Sequence, residues 1–148
     1  MKEEKVCIKL LDDKAILPTY GSLDAAGADL YANIQETETI LPHETKLIKT
    51  GVAMAIPKGL MGLIFARSGL ASKRGLAPAN KVGVVDADYR GEIMVALHNH
   101  TDNPQSIESK ERIAQMVFVP YVKCNFEVVD DLEETLRGAG GFGSTGTK

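Results

Sequence analysis

Apolar residues recur at every second position over long stretches of this 148-residue chain. In residues 48–56 the even positions are Ile, Thr, Val, Met and Ile, and a Pro-Lys-Gly turn follows at 57–59. Because the side chains of a β-strand point alternately to opposite faces, this period predicts a strand with one buried face. Residues 6–10 alternate in the same way.

Further apolar segments rich in strand-forming residues cover residues 60–66, 92–99 and 113–122. We interpret residues 81–85 and 92–95 as a hairpin joined by a polar turn at 86–91. Helical signals are confined to residues 68–74 and 130–136. Many short strands with regular turns predict an all-β sandwich, barrel or jelly roll.

The length predicts one domain, and 44% hydrophobic with 25% charged residues is ordinary for a soluble globular chain. No apolar run approaches the ~18 residues of a membrane span, and the N-terminus is not a signal peptide. Cys7 and Cys124 lie far apart without a CxxC context, which favours free thiols in a reducing cytosol. We therefore expect a cytoplasmic protein that binds no membrane.

The net charge of -3 argues against nucleic-acid binding, which needs a basic face. It leaves room for a small anionic ligand, because a few focused arginines can dominate a cleft. A structural zinc site is disfavoured, since His98 and His100 have no third or fourth ligand nearby in the sequence. The H-x-E and P-C-x-x-C pattern of zinc deaminases is absent from the sequence.

The chain ends in a glycine-rich stretch, residues 137–148, that contains two familiar spacings. Residues 138–143 fit G-x-G-x-x-G, and residues 141–146 fit the G-x-x-x-x-G of a phosphate loop. Neither is followed by the helix that both motifs need, so both interpretations fail. Taken alone, the tail is interpreted as a disordered terminus.

Two segments combine charge with a strand end in ways that core packing does not need. Arg67, Ser68 and Gly69 offer a guanidinium, a hydroxyl and a backbone amide to a phosphate. The alternative is an ordinary strand end with a capping serine. Asp86 follows two valines, where it either serves as a general base against a rigid wall or simply forms the turn.

Five segments, in order along the chain, together carry a resemblance that none carries alone. These segments resemble, in order, the five motifs of the homotrimeric dUTP diphosphatases (dUTPases). In this chain they are AGADLYA, ARSGLAS, GVVDADYRG, ERIAQMVF and RGAGGFGSTG. The resemblance spans residues 23–146. One departure precedes the fourth motif, where Ser109-Lys110-Glu111 stands in place of the usual Gly-Asp pair. It concerns the local turn and not Gln115, which matches.

The resemblance implies an all-β, jelly-roll-like dUTPase fold of the β-clip type, assembled as a homotrimer. Residues 1–136 would form the β-domain, and residues 137–148 a flexible arm that closes over a neighbouring subunit's active site. It also implies Mg²⁺-dependent hydrolysis of dUTP to dUMP and pyrophosphate by water attack on the α-phosphate. That reaction limits uracil incorporation into DNA and supplies dUMP for thymidylate synthesis.

The family's functional positions map onto the matched segments. Asp86 would be the general base, and Asp29 would support Mg²⁺ through water while the phosphates hold the ion. Tyr89 would pack under the deoxyribose and exclude a ribose 2′-hydroxyl, and Phe142 would cover the base. The positions that would contact the phosphates are Arg67, Ser68, Gly69, Gln115, Arg137, Ser144 and Thr145. The positions that would bind the uracil ring are Asn80, Gly83, Val84, Val85, Asp86 and Met94. Gly143 is the remaining residue expected to bind substrate.

Two other functions remain open at this point. dCTP deaminase shares the fold but relies on a glutamate in the pocket, whereas Asp86-Ala87-Asp88-Tyr89 has the diphosphatase form. The second is a non-catalytic trimer that binds dUTP or a partner protein as a regulator. The intact Asp86, Arg137 and Phe142 argue against lost catalysis but leave room for an added binding role.

Overall fold

The computed structural model describes residues 4–141, which form eleven strands and one short helix. The strands are β1 (Cys7–Leu10), β2 (Thr19–Tyr20), β3 (Ala28–Tyr31), β4 (Glu38–Ile40), β5 (Thr45–Ala55), β6 (Leu60–Phe65), β7 (Leu76–Pro78), β8 (Gly83–Val85), β9 (Glu92–Asn99), β10 (Gln105–Ile107) and β11 (Arg112–Pro120). The helix α1 is Ser68–Arg74, as predicted. The expectation of an all-β chain is therefore confirmed.

The strands form two sheets and a ribbon. The first sheet has the order β1-β5-β9-β7, the second has the order β2-β3-β11-β6-β8, and β4 pairs with β10. Buried residues of both sheets belong to one aliphatic cluster. The core therefore lies between two facing sheets, as in a sandwich or jelly roll.

Strand β5 follows the predicted period of two only in its first half, because residues 50–54 are all buried. Its even positions from Ile48 to Met54 are at most 3% exposed, while Leu47 is 65% exposed. The one polar residue among them, Thr50, donates its hydroxyl to the carbonyl oxygen of Ile93 at 2.5 Å. That bond removes the cost of burying a hydroxyl in an apolar layer.

The predicted hairpin over residues 81–95 is wrong. β8 pairs with β6 in one sheet, while β9 pairs with β5 and β7 in the other. The turn at 86–91 therefore crosses from sheet to sheet. Alternating burial is satisfied equally by a hairpin and by strands in facing sheets, so the pattern could not distinguish them. As a result β8 is an edge strand, and no strand of residues 4–141 pairs with its outer side.

Two further predictions fail near the C-terminal end of the described chain. β11 ends at Pro120 instead of residue 122, and residues 130–136 are not helical. Leu132 and Leu136 are 86% and 112% exposed. A short helix depends on burying one apolar face, and none of residues 4–141 covers these leucines.

Other sequence expectations concern the surface and the termini. No helix within residues 4–141 is both long and apolar enough to cross a membrane. Cys7 and Cys124 are exposed and not paired in a disulfide. The division into a β-domain and a C-terminal arm stays a prediction, because residues 142–148 lie outside the described part of the chain.

Candidate active site

A pocket opens where the turn at 86–91 carries the chain between the sheets. Its volume is about 280 Å³, close to the lower end of the roughly 300–1,000 Å³ found for small-molecule sites. The predicted substrate residues that line it are Asn80, Gly83, Val84, Val85, Asp86, Tyr89 and Met94. One segment, predicted from sequence as a unit, thus surrounds one concave surface.

The sequence did not predict every residue of this pocket. The others are Leu47, Ile64, Glu92, Ile93 and Ala96. Ala96 lies two residues from Met94, so the alternation of β9 could have identified it. Leu47 comes from β5 and is the register partner of Ala96. Leu47 could have been assigned to the pocket only if the pairing of β5 with β9 had been known.

Asp86 stands where the chain leaves the end of β8. Val85 before it is 8% exposed, whereas Asp86 is exposed. Its carbonyl oxygen accepts the N–H of Tyr89 at 3.1 Å, which closes the turn. Within residues 4–141 its carboxylate has no hydrogen-bond or ion-pair partner. Both carboxylate oxygens are therefore available to a water molecule.

A second group of predicted residues gathers at one end of β3, β6 and β11. Asp29 on β3 is 7% exposed. It accepts hydrogen bonds from Arg67 Nε at 2.8 Å and from Arg112 Nη1 at 3.2 Å. One carboxylate faces two guanidinium groups, so the formal local charge is 2 − 1 = +1. Although the net charge of the chain is -3, this cluster is therefore a locally positive site that can attract an anion.

Gln115 belongs to the same cluster. It is the register partner of both Asp29 and Phe65, and its Nε2 donates to the carbonyl oxygen of Ala66 at 2.9 Å. A side-chain amide has a second N–H. Gln115 can therefore hold the loop that carries Arg67 and still donate to a phosphate.

Ser68 and Gly69 open α1 and are exposed. The helix N-cap is Arg67, and no side chain caps the helix. The alternative of a capping serine is therefore wrong. A Cβ added at Gly69 would meet no atom within 4 Å, so its surroundings are open to a ligand.

The turn before β11 is held in place although Ser109-Lys110-Glu111 replaces the Gly-Asp pair that the resemblance leads us to expect. Lys110 adopts a left-handed φ of 66°, and its N–H donates to the carbonyl oxygen of Ala32 at 2.8 Å. Glu111 accepts the N–H of Glu108 at 3.0 Å and also pairs with Arg74. The turn is thus held in place, and Gln115 occupies its register position.

Asp86 lies at one end of the β6–β8 pair, and Arg67 lies beyond the other. Val85, next to Asp86, pairs with Gly62, whereas Arg67 lies five residues beyond Gly62. At roughly 3.3 Å per residue, the two ends are on the order of 15 Å apart. Asp29 is also three strands away from β8 in the sheet order. One protomer therefore does not bring Asp86 and Arg67 together.

Arg137, the one predicted arm residue within the described part of the chain, joins neither group in this protomer. Arg137 is exposed and donates from Nε to the carbonyl oxygen of Gly140 at 2.8 Å. Phe142, Gly143, Ser144 and Thr145 lie outside the described residues. Their predicted contacts with substrate stay predictions.

Comparison with known proteins agrees with this geometry. The dUTPase family profile matches residues 13–146. A deoxyuridine 5′-triphosphate nucleotidohydrolase of Hahella chejuensis is 48% identical over 145 residues, 97% of this chain and 95% of that protein. One of Desulfitobacterium hafniense is 49% identical over 143 residues, 96% of this chain and 95% of that protein.

Solved structures extend the likeness to the fold. The dUTPase of Staphylococcus bacteriophage 80alpha, solved with dUPNHPP, superposes with a TM-score of 0.88 at 32% identity. The match covers 98% of this chain and 100% of that one. The expected dUTPase fold is thus confirmed, and the chain belongs to the dUTPase family.

Proposed function

We propose that this protein hydrolyses dUTP to dUMP and pyrophosphate, with Asp86 as the general base. The observation that carries the proposal is the carboxylate of Asp86, which lines the pocket and has no partner among residues 4–141. A base in that position can take a proton from water as the water attacks the α-phosphorus. Release of dUMP and removal of dUTP would limit uracil incorporation into DNA and supply thymidylate synthesis.

The pocket suits a uracil base. Its walls include apolar side chains such as Val84 and Met94, and β8 offers backbone groups along an edge that no described strand occupies. Backbone N–H and C=O groups can pair with the donors and acceptors of uracil. Cytosine would place a donor where uracil has an acceptor, and such a mismatch is strongly rejected.

The phosphates would bind at the Asp29 cluster of a neighbouring subunit. Asp86 and Arg67 of one protomer lie on the order of 15 Å apart, too far to act on one phosphorus. A homotrimer with cyclic symmetry would place the pocket of each subunit against the cluster of the next. The arm of a subunit, with Arg137, Phe142, Gly143, Ser144 and Thr145, would close over the completed site.

Exposed apolar residues favour such an assembly. Residues 121–139 are exposed throughout, and Phe126 and Val128 are 97% and 99% exposed. Side chains of this kind normally lie against a surface, and the described part of the protomer offers them none. A neighbouring copy would cover them.

Mg²⁺ is the proposed cofactor. No three His, Cys, Asp or Glu side chains within residues 4–141 are grouped to hold a metal, and Asp29 already accepts from two arginines. This donor set fits an ion held by the triphosphate and by water, with Asp29 behind that shell. When bound, the ion would offset part of the phosphate charge, while Arg67 and Gln115 orient the chain.

Pyrophosphate release tests the proposal. We expect Mg²⁺-dependent release from dUTP and little from dTTP, dCTP or UTP. Asp86→Asn should lower kcat by about 10²- to 10⁴-fold, the usual contribution of a general base, with near-normal binding of a non-hydrolysable analogue. Asp13→Asn, an equal charge change on the surface, is the control. If the wild-type protein does not hydrolyse dUTP, the proposal is contradicted. Release of ammonia from dCTP would indicate a deaminase.

A further inference from the structure

Tyr89 is held in the turn at 86–91 by a few local contacts. Its hydroxyl donates to the carbonyl oxygen of Glu92 at 3.0 Å. Its ring lies over Gly91, where an added Cβ would stand 2.6 Å from Tyr89 Cζ and overlap its hydroxyl. Tyr89 is 43% exposed on the rim of the pocket. These two contacts therefore largely determine where the ring stands.

The backbone at residue 91 does not itself require glycine. Within residues 4–141 the glycines with positive φ are Gly51, Gly59, Gly75 and Gly138. Gly91 is not among them, so an alanine could adopt its backbone conformation without strain. What excludes a side chain at this position is the ring of Tyr89.

The turn backbone is fixed independently of the ring. Arg90 Nη1 donates to the carbonyl oxygens of Ala87 and Tyr89, at 2.7 and 2.9 Å. Glu92 is tied to β5, because its Oε1 accepts the N–H of Gly51 at 2.9 Å. A methyl group at residue 91 would therefore move the ring, which can rotate, and not the backbone.

We infer that Gly91 is a positioning residue for sugar discrimination, acting through Tyr89. Its missing side chain lets the ring stand close against the turn, and this sets the wall that a ribose 2′-hydroxyl would meet. The inference rests on the proposed function and on the expectation from the family resemblance that Tyr89 packs under the deoxyribose. Steric exclusion of one hydroxyl needs a wall fixed to well under 1 Å, and displacements of about 1 Å can change rates by 10²-fold.

The test is the ratio of kcat/KM for dUTP to that for UTP in the full-length protein. We expect Gly91→Ala to lower this ratio about 10- to 100-fold. In a Tyr89→Ala background the same change should not alter the ratio further, because the ring through which it acts is gone. Gly21→Ala is the matched control, since a Cβ there meets no atom within 4 Å and its φ is not positive.

An unchanged ratio in Gly91→Ala, or an equal fall in the Tyr89→Ala background, overturns the inference. If Gly91→Ala does not fold, the same change in the Tyr89→Ala background decides. A folded double variant supports the inference, because the ring is then what excludes a side chain at residue 91, and a double variant that also fails to fold overturns it. These outcomes are distinct from a wild-type protein that does not hydrolyse dUTP, which contradicts the proposed function itself.

Discussion

Asp29 shows how a single carboxylate can organise an anion site. It lies almost buried between Arg67 and Arg112, with oxygen–nitrogen distances of 2.8 and 3.2 Å. Without it, two guanidinium groups would repel each other, and with a second carboxylate the site would lose its positive charge. The arrangement orients two donors and still leaves them charged toward a phosphate.

Lys110 carries backbone strain that glycine would relieve. Its φ of 66° lies in the left-handed region, and its side chain is exposed. A side chain in that region costs about 1–2 kcal/mol, against about 0.5–1 kcal/mol for the extra chain entropy of glycine. Lys110→Gly should therefore raise the free energy of unfolding by up to about 1 kcal/mol and Tm by roughly 2–4 °C.

Lys110→Ala is the control for that measurement. It removes the same charge and aliphatic chain but keeps a Cβ at the same φ, so it should gain nothing. Thermal unfolding of the variants is compared at one protein concentration. Equal gains in both variants would show that the charge, and not the backbone, is responsible.

Asp12 gives the protein a defined response to acid. The side-chain N–H of Asn33 at 2.6 Å and the backbone N–H groups of Lys14 and Ala15 hold the pKa of Asp12 below its usual 3.8. Because the folded pKa is the lower one, the ionised group stabilises the fold above the unfolded pKa. That stability is lost as pH falls through the folded pKa.

Removing the main donor tests this directly. Asn33→Ala should raise the pKa of Asp12 toward 3.8, measured by NMR titration of its carboxyl carbon. Gln35→Ala, an exposed amide two residues away, should leave the pKa of Asp12 unchanged. A pKa that does not move in Asn33→Ala would contradict the assigned cause.

The strands illustrate what a single sequence can and cannot predict. The alternation in β9 and in the first half of β5 predicted which residues are buried, because successive side chains take opposite faces of a strand. Residues 50–54 of β5 are buried on both faces, which the alternation did not predict. The alternation does not determine which strands pair with each other. It therefore predicts a hairpin over residues 81–95, although β8 and β9 belong to different sheets. Pairing depends on contacts distant in sequence, and no local pattern records them.

The segment after β11 should bind a neighbouring subunit. Phe126 and Val128 are almost fully exposed, and in an extended segment lying against a neighbour, residues two apart would share one face. Burial of such side chains is worth about 1.5–3 kcal/mol each. Replacing both by serine should therefore weaken the trimer at least tenfold, as measured by sedimentation equilibrium. Glu127→Ser, on the other face of the segment, should leave assembly intact, and unchanged assembly in the double variant would contradict this role.

In the proposed function the complete site belongs to the assembly and not to the protomer. Sequence motifs identified the pocket residues and the Asp29 cluster because each group is built from short segments. Their separation along β6 could not be predicted, since it follows from the register of β6 with β8 and β11. We therefore expect two subunits together to complete one site.

Mixing two inactive variants tests this most directly. Asp86→Asn loses the base and Arg67→Ala loses a phosphate contact, so each trimer alone should be nearly inactive. If a site takes Asp86 from one subunit and Arg67 from the next, each mixed trimer contains one intact site. When equal amounts of the two variants mix at random, about three quarters of the trimers contain both variants, and one of the three sites in each of these is intact. The mixture should then recover about one quarter of wild-type dUTP hydrolysis. Activity no higher than that of the two parents would contradict a site shared between subunits.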